Sequence, residues 1–347
     1  MATHERELTE PVDLATADGR SLNPAARGWS RRPLHRANLR GDWGRTKRWD
    51  YWAILAGDLV VSSVYADVDY LGLADVWWVD LATGHTGGRG IVAPFARGMR
   101  LPDVPATAPL HVARRHFELD ISDDADGTTH LRARWDERDG SPARLDASIA
   151  LPVGHESLNV VIPWSDRRFQ FTSKHQARPA HGELVVGDRH RPFGRDSGGN
   201  GAAWGVLDVG RGRWPYRTRW NWGGGAGATT DGRIVGIQIG GRWTEGTGFT
   251  ENGVIVDGVL TKLGTELRWQ YDWDEPTRPW LVDDPHGRLH LRLDPRFDKH
   301  SKTEAGVMGT ETHQVFGTWS GTFVADDGES IELAGIQGFA EESRSRW

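Results

Sequence analysis

The chain has 347 residues and a formal net charge of -6, with 42 basic residues mixed among 48 acidic ones. That balance supplies no general attraction to nucleic acid or to an anionic membrane, so neither is an expected partner. Cysteine is absent, which excludes disulfides, thiolate metal sites and cysteine nucleophiles, while 18 Trp and 44 Gly stand against only 3 Met.

The opening residues, MATHERELTEPVDLATADGR, are charged and lack an apolar core, so a signal peptide is not expected and a cytoplasmic location is. No stretch approaches the roughly 20 apolar residues of a membrane span. Residues 1–40 show no alternation and read as an irregular arm laid on the body, anchored by Trp29 and Leu34.

The first strong element is KRWDYWAIL, residues 47–55. As a strand it places Trp49, Tyr51 and Ala53 on one face and Asp50, Trp52 and Ile54 on the other. Both faces then require cover. Asp50 among three aromatics must be paired, most simply by Lys47 or Arg48, or carry a raised pKa in a pocket. Asp50 is therefore a candidate acid, with Trp49, Tyr51 and Trp52 as candidate pocket walls; simple packing anchors are the alternative.

Short alternating runs follow: HFELDIS, RLDASIAL, SLNVVIPW, RFQFTSK, GELVVG, RIVGIQIG, GVIVDG, GRLHLRLD, GTWSGTFV and SIELAGIQGF. Gly, Pro, Asp and Asn punctuate them, and no long window has apolar residues at helical spacing. The expectation is an all-β protein with very little helix, built as two antiparallel barrel-like halves packed together. They are expected at 41–200 and 201–347, divided by a long loop in GDRHRPFGRDSGGNG, residues 187–201.

Several stretches carry possible chemistry. TSKHQARPAHG holds Lys174, which could orient a polar group of a ligand at a barrel mouth. VLDVGRGRW offers Asp208 as an acid and Arg211 as a ligand-binding cation, although such close pairs are often structural. In GRWPYRTRWNWGGGAGATTDGR, Trp214, Tyr216, Trp220 and Trp222 share parity, with Asn221 facing the other way. The stretch reads as an aromatic pocket wall whose glycines admit a ligand, or as a core face with a flexible hairpin. GFTENGVIVDG places Glu251 and Asn252 before an apolar strand, where burial beside Phe249 would raise an acid's pKa. GTETHQVFGTWSG offers His313, beside Glu311 and Gln314, as an acid or base. Metal binding is not expected: His286, His290 and Asp294 share a face, but Arg288 and Arg292 lie between them in sequence. No Walker, HExxH or G-x-S-x-G motif occurs.

LNPAARGWSRRPLHRANLRGDWGRTKRWDYW, FTSKHQARPAHGEL, VLDVGRGRWPYRTRWNW, FTENGVIVDG and GFAEESRSRW together resemble an uncharacterised family named as a domain of unknown function, over the whole chain. The order of blocks is also similar to lipocalin-like two-barrel proteins, the group of carotenoid hydratases and some natural-product cyclases. That likeness implies calycin-type barrels and a pocket for an apolar or cyclic ligand. The His and Asp pattern of the hydratases has no counterpart here, so no catalytic residue is carried over from them. The family resemblance makes Glu251 the leading acid.

The expected function is a cofactor-independent acid–base enzyme acting on a hydrophobic or cyclic small molecule, by hydration, cyclisation, isomerisation or elimination. Glu251 or Asp50 would protonate a double bond or ether oxygen, and Trp and Tyr faces would stabilise the resulting cation. The alternatives are a carbohydrate-active enzyme with paired carboxylates and a lipocalin-like carrier without chemistry.

Overall fold

The computed structural model describes residues 3–107, 109–195 and 201–347. Among these the only helix is one 3-10 turn, Pro24–Ala26, and the rest of the regular structure is strand. Two large antiparallel sheets carry the fold.

The first sheet has thirteen strands. Its centre is Thr46–Ala56, hydrogen-bonded to Leu59–Asp67 on one side and to Ala203–Arg213 on the other, with Phe169–Val186 next. The edge strand His85–Pro94 returns against Phe117–Asp123 and Thr129–Asp136, so the sheet nearly closes into a barrel. The second sheet has nine strands and forms a half-barrel around Arg217–Ala228, Ser330–Arg346, Met308–Val324 and Leu289–Ala305. The two-barrel, all-β architecture expected from the alternation is what the chain adopts. Each barrel has its own apolar core, one around Trp52, Trp78, Phe117 and Trp135, the other around Trp280, Trp319 and Phe323.

A third apolar cluster joins the sheets: Tyr51, Ala53, Leu55, Val206, Trp222, Phe316 and Phe339. This explains the aromatics on both faces of residues 47–55. Trp52 and Ile54 fill the first barrel, while Tyr51, Ala53 and Leu55 pack on the second sheet. Full burial of each such side chain stabilises by roughly 1.5–3 kcal/mol, so neither face can be surrendered to solvent.

The N-terminal segment has more anchors than Trp29 and Leu34, and it includes the short strands Val12–Asp13, Trp29–Ser30 and His35–Arg36. Trp29 is buried and Leu34 only half-buried, while Leu14, Leu22, Ala37 and Leu39 pack on Val161, Phe169 and Phe171. The segment from 187 is not one long loop. After a turn at Gly187–Asp188, Arg189–Phe193 folds back as a strand on Phe169–Val186. Residues 196–200 of that expected loop lie outside the described residues. The chain leaves the first sheet at Arg213 and enters the second at Arg217, so Ala203–Arg213 belongs with the preceding sequence in one sheet. We take Trp214–Tyr216 as the division between the halves, in place of 200/201.

Candidate functional site

Register sets two rows of side chains face to face. In the first sheet Lys174 lies opposite Asp208, and Asp208 opposite Tyr51, so the three line up across adjacent strands. In the second, Trp222, Glu341, Gln314 and Lys299 line up in the same manner. The rows meet where Lys174 Nζ sits 4.3 Å over the Trp222 ring and the Tyr51 hydroxyl donates to Gln314 Oε1 at 3.4 Å. Between them is a cavity of about 290 Å³, bordered also by Trp49, Trp214, Trp220, Trp243, Glu251 and Trp347.

Three carboxyl groups face this space, and each receives an indole N–H. Trp49 Nε1 donates to Asp208 Oδ2 at 3.1 Å, Trp243 Nε1 to Glu251 Oε1 at 2.6 Å, and Trp220 Nε1 to Glu341 Oε1 at 2.7 Å. Asp208 Oδ1 also accepts from Thr172 Oγ1 at 3.1 Å and lies 2.9 Å from Lys174 Nζ. The same ammonium stands 3.3 Å from Glu251 Oε2, an ion-pair contact without hydrogen-bond alignment.

The electrostatics follow from burial. Glu251 is 1% exposed, and loss of water pushes its carboxyl up to about 7, with Lys174 pulling down and Asp208 pushing up. Burial likewise pushes Glu341 up to about 7, against the Trp220 hydrogen bond and the charges of Lys174 and Lys299. Burial alone would lower Lys174, but Asp208 and Glu251 outweigh it and hold the ammonium protonated. Lys299, bonded to Ser62 Oγ at 3.1 Å and 4.4 Å over the Trp77 ring, is lowered by burial. An indole is a donor only. Oε1 of Glu251 therefore stays an acceptor for Trp243.

The backbone is shaped for this acid. Gly240 N donates to Asn252 Oδ1 at 2.7 Å, and Asn252 Nδ2 donates to the carbonyl of Thr265 at 2.9 Å, which fixes the chain beside Glu251. A Cβ at Gly240 would collide with the Glu251 carboxyl, so only glycine lets the acid lie against the strand.

Of the residues singled out in the sequence, Glu251, Asp208, Lys174, Trp49, Tyr51, Trp220 and Trp222 all border the cavity. The others do not. Trp52 points into the first barrel, under the guanidinium of Arg178. Asn252 is a backbone clamp, and Asn221 donates to the Tyr271 hydroxyl and to the carbonyl of Glu341. His313 lies on the opposite face of its strand from Gln314, bonded through Nδ1 to Asp298 Oδ2 at 2.7 Å. The glycines after Trp222 are strand, not loop, and the space over them is filled by Ile239, Phe339, Trp319 and Ile336 rather than left to a ligand.

Asp50 does have a partner, and it is neither Lys47 nor Arg48. Arg211 Nη2 lies 2.8 Å from Asp50 Oδ1, and Arg211 is fully buried and also donates to the carbonyls of Trp49 and Gly210. Both residues stand outside the cavity lining and form a structural ion pair. Arg211→Met should therefore destabilise the protein by about 3–5 kcal/mol, because it strands a buried carboxylate; adding Asp50→Asn should recover part of the loss. Denaturant midpoints of the two variants check this.

Glu341, Trp243, Thr172 and Lys299 are cavity residues that the sequence did not single out. Parity carries a signal for one of them: Phe339, Glu341 and Ser343 share a face, and Phe339 is apolar. Nothing local marks Trp243, which follows the strand Ile234–Gly241.

Among solved structures, an AttH-like protein from Nitrosomonas europaea is 11% identical, with a TM-score of 0.52 over 88% of this chain and 93% of that one. Kievitone hydratase from Nectria haematococca is also 11% identical, with a TM-score of 0.51 over 100% of this chain and 98% of that one. At such identity the likeness is one of fold. No curated protein matches the sequence. Among the described residues no helix is long and apolar enough to cross a membrane. Residues 5–347 match the family described as a domain of unknown function, DUF2804, and the chain belongs to it.

Proposed function

We propose that this protein is a cofactor-independent acid–base enzyme of the hydratase or lyase type, acting on an apolar small molecule in the cavity between the sheets. One observation carries the proposal: a buried acid, Glu251, whose carboxyl burial pushes up to about 7, stands at the wall of a tryptophan-lined cavity. The carboxyl proton of Glu251 passes to one carbon of a double bond, and a cation forms on the neighbouring carbon. Trp222 and the other rings stabilise that cation by about 0.5–2 kcal/mol each. Water, or a nucleophile within the substrate, adds to the cation and loses its proton to Glu341. Proton exchange then resets the two acids, and the reverse sequence is a dehydration. The resemblance in fold to kievitone hydratase agrees with this reaction class.

The carrier reading predicts a cavity with no ionisable group inside, and this one holds Lys174, Asp208, Glu251, Lys299 and Glu341. A sugar site would use indole faces as platforms. Here Trp49, Trp220 and Trp243 turn their N–H edges to acids, and Trp214 stacks on Trp243 at 5.5 Å. The test is to incubate the protein with a panel of cavity-sized apolar alkenes in isotopically heavy water and to follow oxygen incorporation by mass spectrometry. Label should enter a product with wild type and not with Glu251→Gln; equal incorporation by both would overturn the assignment.

A further inference from the structure

The hairpin formed by Leu289–Ala305 and Met308–Val324 presents a second, unrelated set of side chains on its other face. Its inner face gives Lys299, Ser301, Thr310, Thr312 and Gln314 to the cavity. Strand alternation turns Asp298, His300 and Lys302, with Glu311 and His313, outward. His300 and His313 are directly opposed in the ladder, and their rings stack at 4.2 Å with planes 6° apart. His300 Nε2 lies 3.1 Å from Glu311 Oε1. One ligand atom from each of His300, Glu311 and His313 falls within 4.8 Å of the others.

We propose that His300, Glu311 and His313 form a binding site for a divalent transition-metal ion of the Zn2+, Ni2+ or Cu2+ kind. Two imidazoles and one carboxylate are a donor set of the right softness for these ions. The ring of His313 is already oriented: Asp298 holds its Nδ1 at 2.7 Å and leaves Nε2 free, the carboxylate support typical of metal-binding histidines. Trp273 packs edge-on against the same ring at 4.5 Å. An ion would take the place of the hydrogen bond between His300 Nε2 and Glu311 Oε1.

Coordination at about 2 Å requires the three donors to draw together. The side chains that must move are the accessible ones, His300 at 44% and Glu311 at 26% exposure, while His313 at 11% stays fixed. Lys302 lies 3.0 Å from Glu311 Oε2 and competes for the acid, but it occupies the other oxygen. A bound ion would clip the two strands together on the back of the wall whose front lines the cavity, and would stiffen that wall. This site departs from the sequence-based expectation of no metal, argued from His286, His290 and Asp294; there His290 is paired with Asp283 and Asp294 with Arg292.

The test uses the full-length chain stripped of metal and titrated calorimetrically with Zn2+. A single saturable site is expected, lost in His300→Ala and in His313→Ala. Asp298→Asn, which removes only the supporting carboxylate, should weaken it by about 10- to 100-fold. Lys302→Gln should tighten binding, because it removes the cation that competes for Glu311; a merely adventitious histidine pair would not respond to that change. In the unaltered protein, substoichiometric Cu2+ should broaden the ring resonances of His300 and His313 selectively among the 14 histidines. Absence of saturable binding, binding undiminished in either His variant, or broadening centred on other histidines overturns the proposal.

Discussion

Glu251→Gln should lower turnover by about 100- to 10,000-fold, the usual contribution of a positioned general acid, with little change in substrate affinity. Glutamine keeps the oxygen that accepts from Trp243 and nearly the same volume, so the loss isolates the proton. Glu341→Gln should also slow the reaction, and the pH profiles separate the two roles. The acid must be protonated and the base ionised, and burial holds both near 7. The wild-type profile should therefore be a narrow bell centred close to pH 7, its two limbs belonging to the coupled pair rather than to either residue. Removing the base leaves the acid alone, so the residual activity of Glu341→Gln should lose its rising limb and fall only as pH climbs through about 7. A bell unchanged in Glu341→Gln would falsify the division of labour, even if Glu251→Gln were inactive.

The fold was legible because its physics is local. Strand alternation and turn residues repeat along the chain, and aromatics on both faces of residues 47–55 announced a strand buried between two layers. The cavity was legible where one strand shows it. Trp220 and Trp222 sit two residues apart and share a face, and both reach the cavity with Glu251 and Lys174. What failed needed register. Asp50 sits diagonally across the ladder from Arg211, because Val209 pairs with Asp50 and Arg211 with Arg48. No sequence pattern aligns residues so far apart, so the near cations Lys47 and Arg48 looked the better partners. Lys47 instead bonds to the carbonyl of Val68 and the hydroxyl of Tyr70. Glu341 was hidden by its neighbour. Glu341 and Glu342 are adjacent acids with the same charge, and on a strand they face opposite ways. Glu342 meets Arg219, Arg344 and Tyr271 on one face, and Glu341 enters the cavity on the other.

The contribution of Glu251 and Glu341 to stability should fall as pH rises from about 4.5 through about 7, against the opposite trend of the buried His35 and His175 and the half-buried His155, whose lowered pKa values make stability rise over the same range. The sign follows from burial. Glu251 and Glu341 ionise at about 7 in the folded chain and at the ordinary 4.5 when unfolded. Between those values the unfolded chain releases protons that the folded chain retains, so folding loses free energy with every step upward. Below 4.5 the full stabilisation is present; above about 7 it is gone. For each acid taken alone the loss is about 3 kcal/mol. Wild type and the double variant Glu251→Gln/Glu341→Gln should thus differ in slope rather than by a constant offset. Denaturant unfolding at a series of pH values should show the variant gaining on wild type from pH 5 to pH 8. Groups titrating in both proteins, such as Lys47 with its amine lowered by burial to about 8, cancel in the difference. A difference that stays flat across that range would mean both acids are ionised in the folded protein at pH 5. The cavity would then hold no proton to give, and the catalytic assignment would fail with the stability argument. The reverse result, a steep difference with no substrate turned over, would leave two protonated acids facing an apolar cavity that costs the fold several kcal/mol at neutral pH. A protein that only carried a ligand would have no use for such a cost, because a Gln at either position would bind the same indole N–H without it.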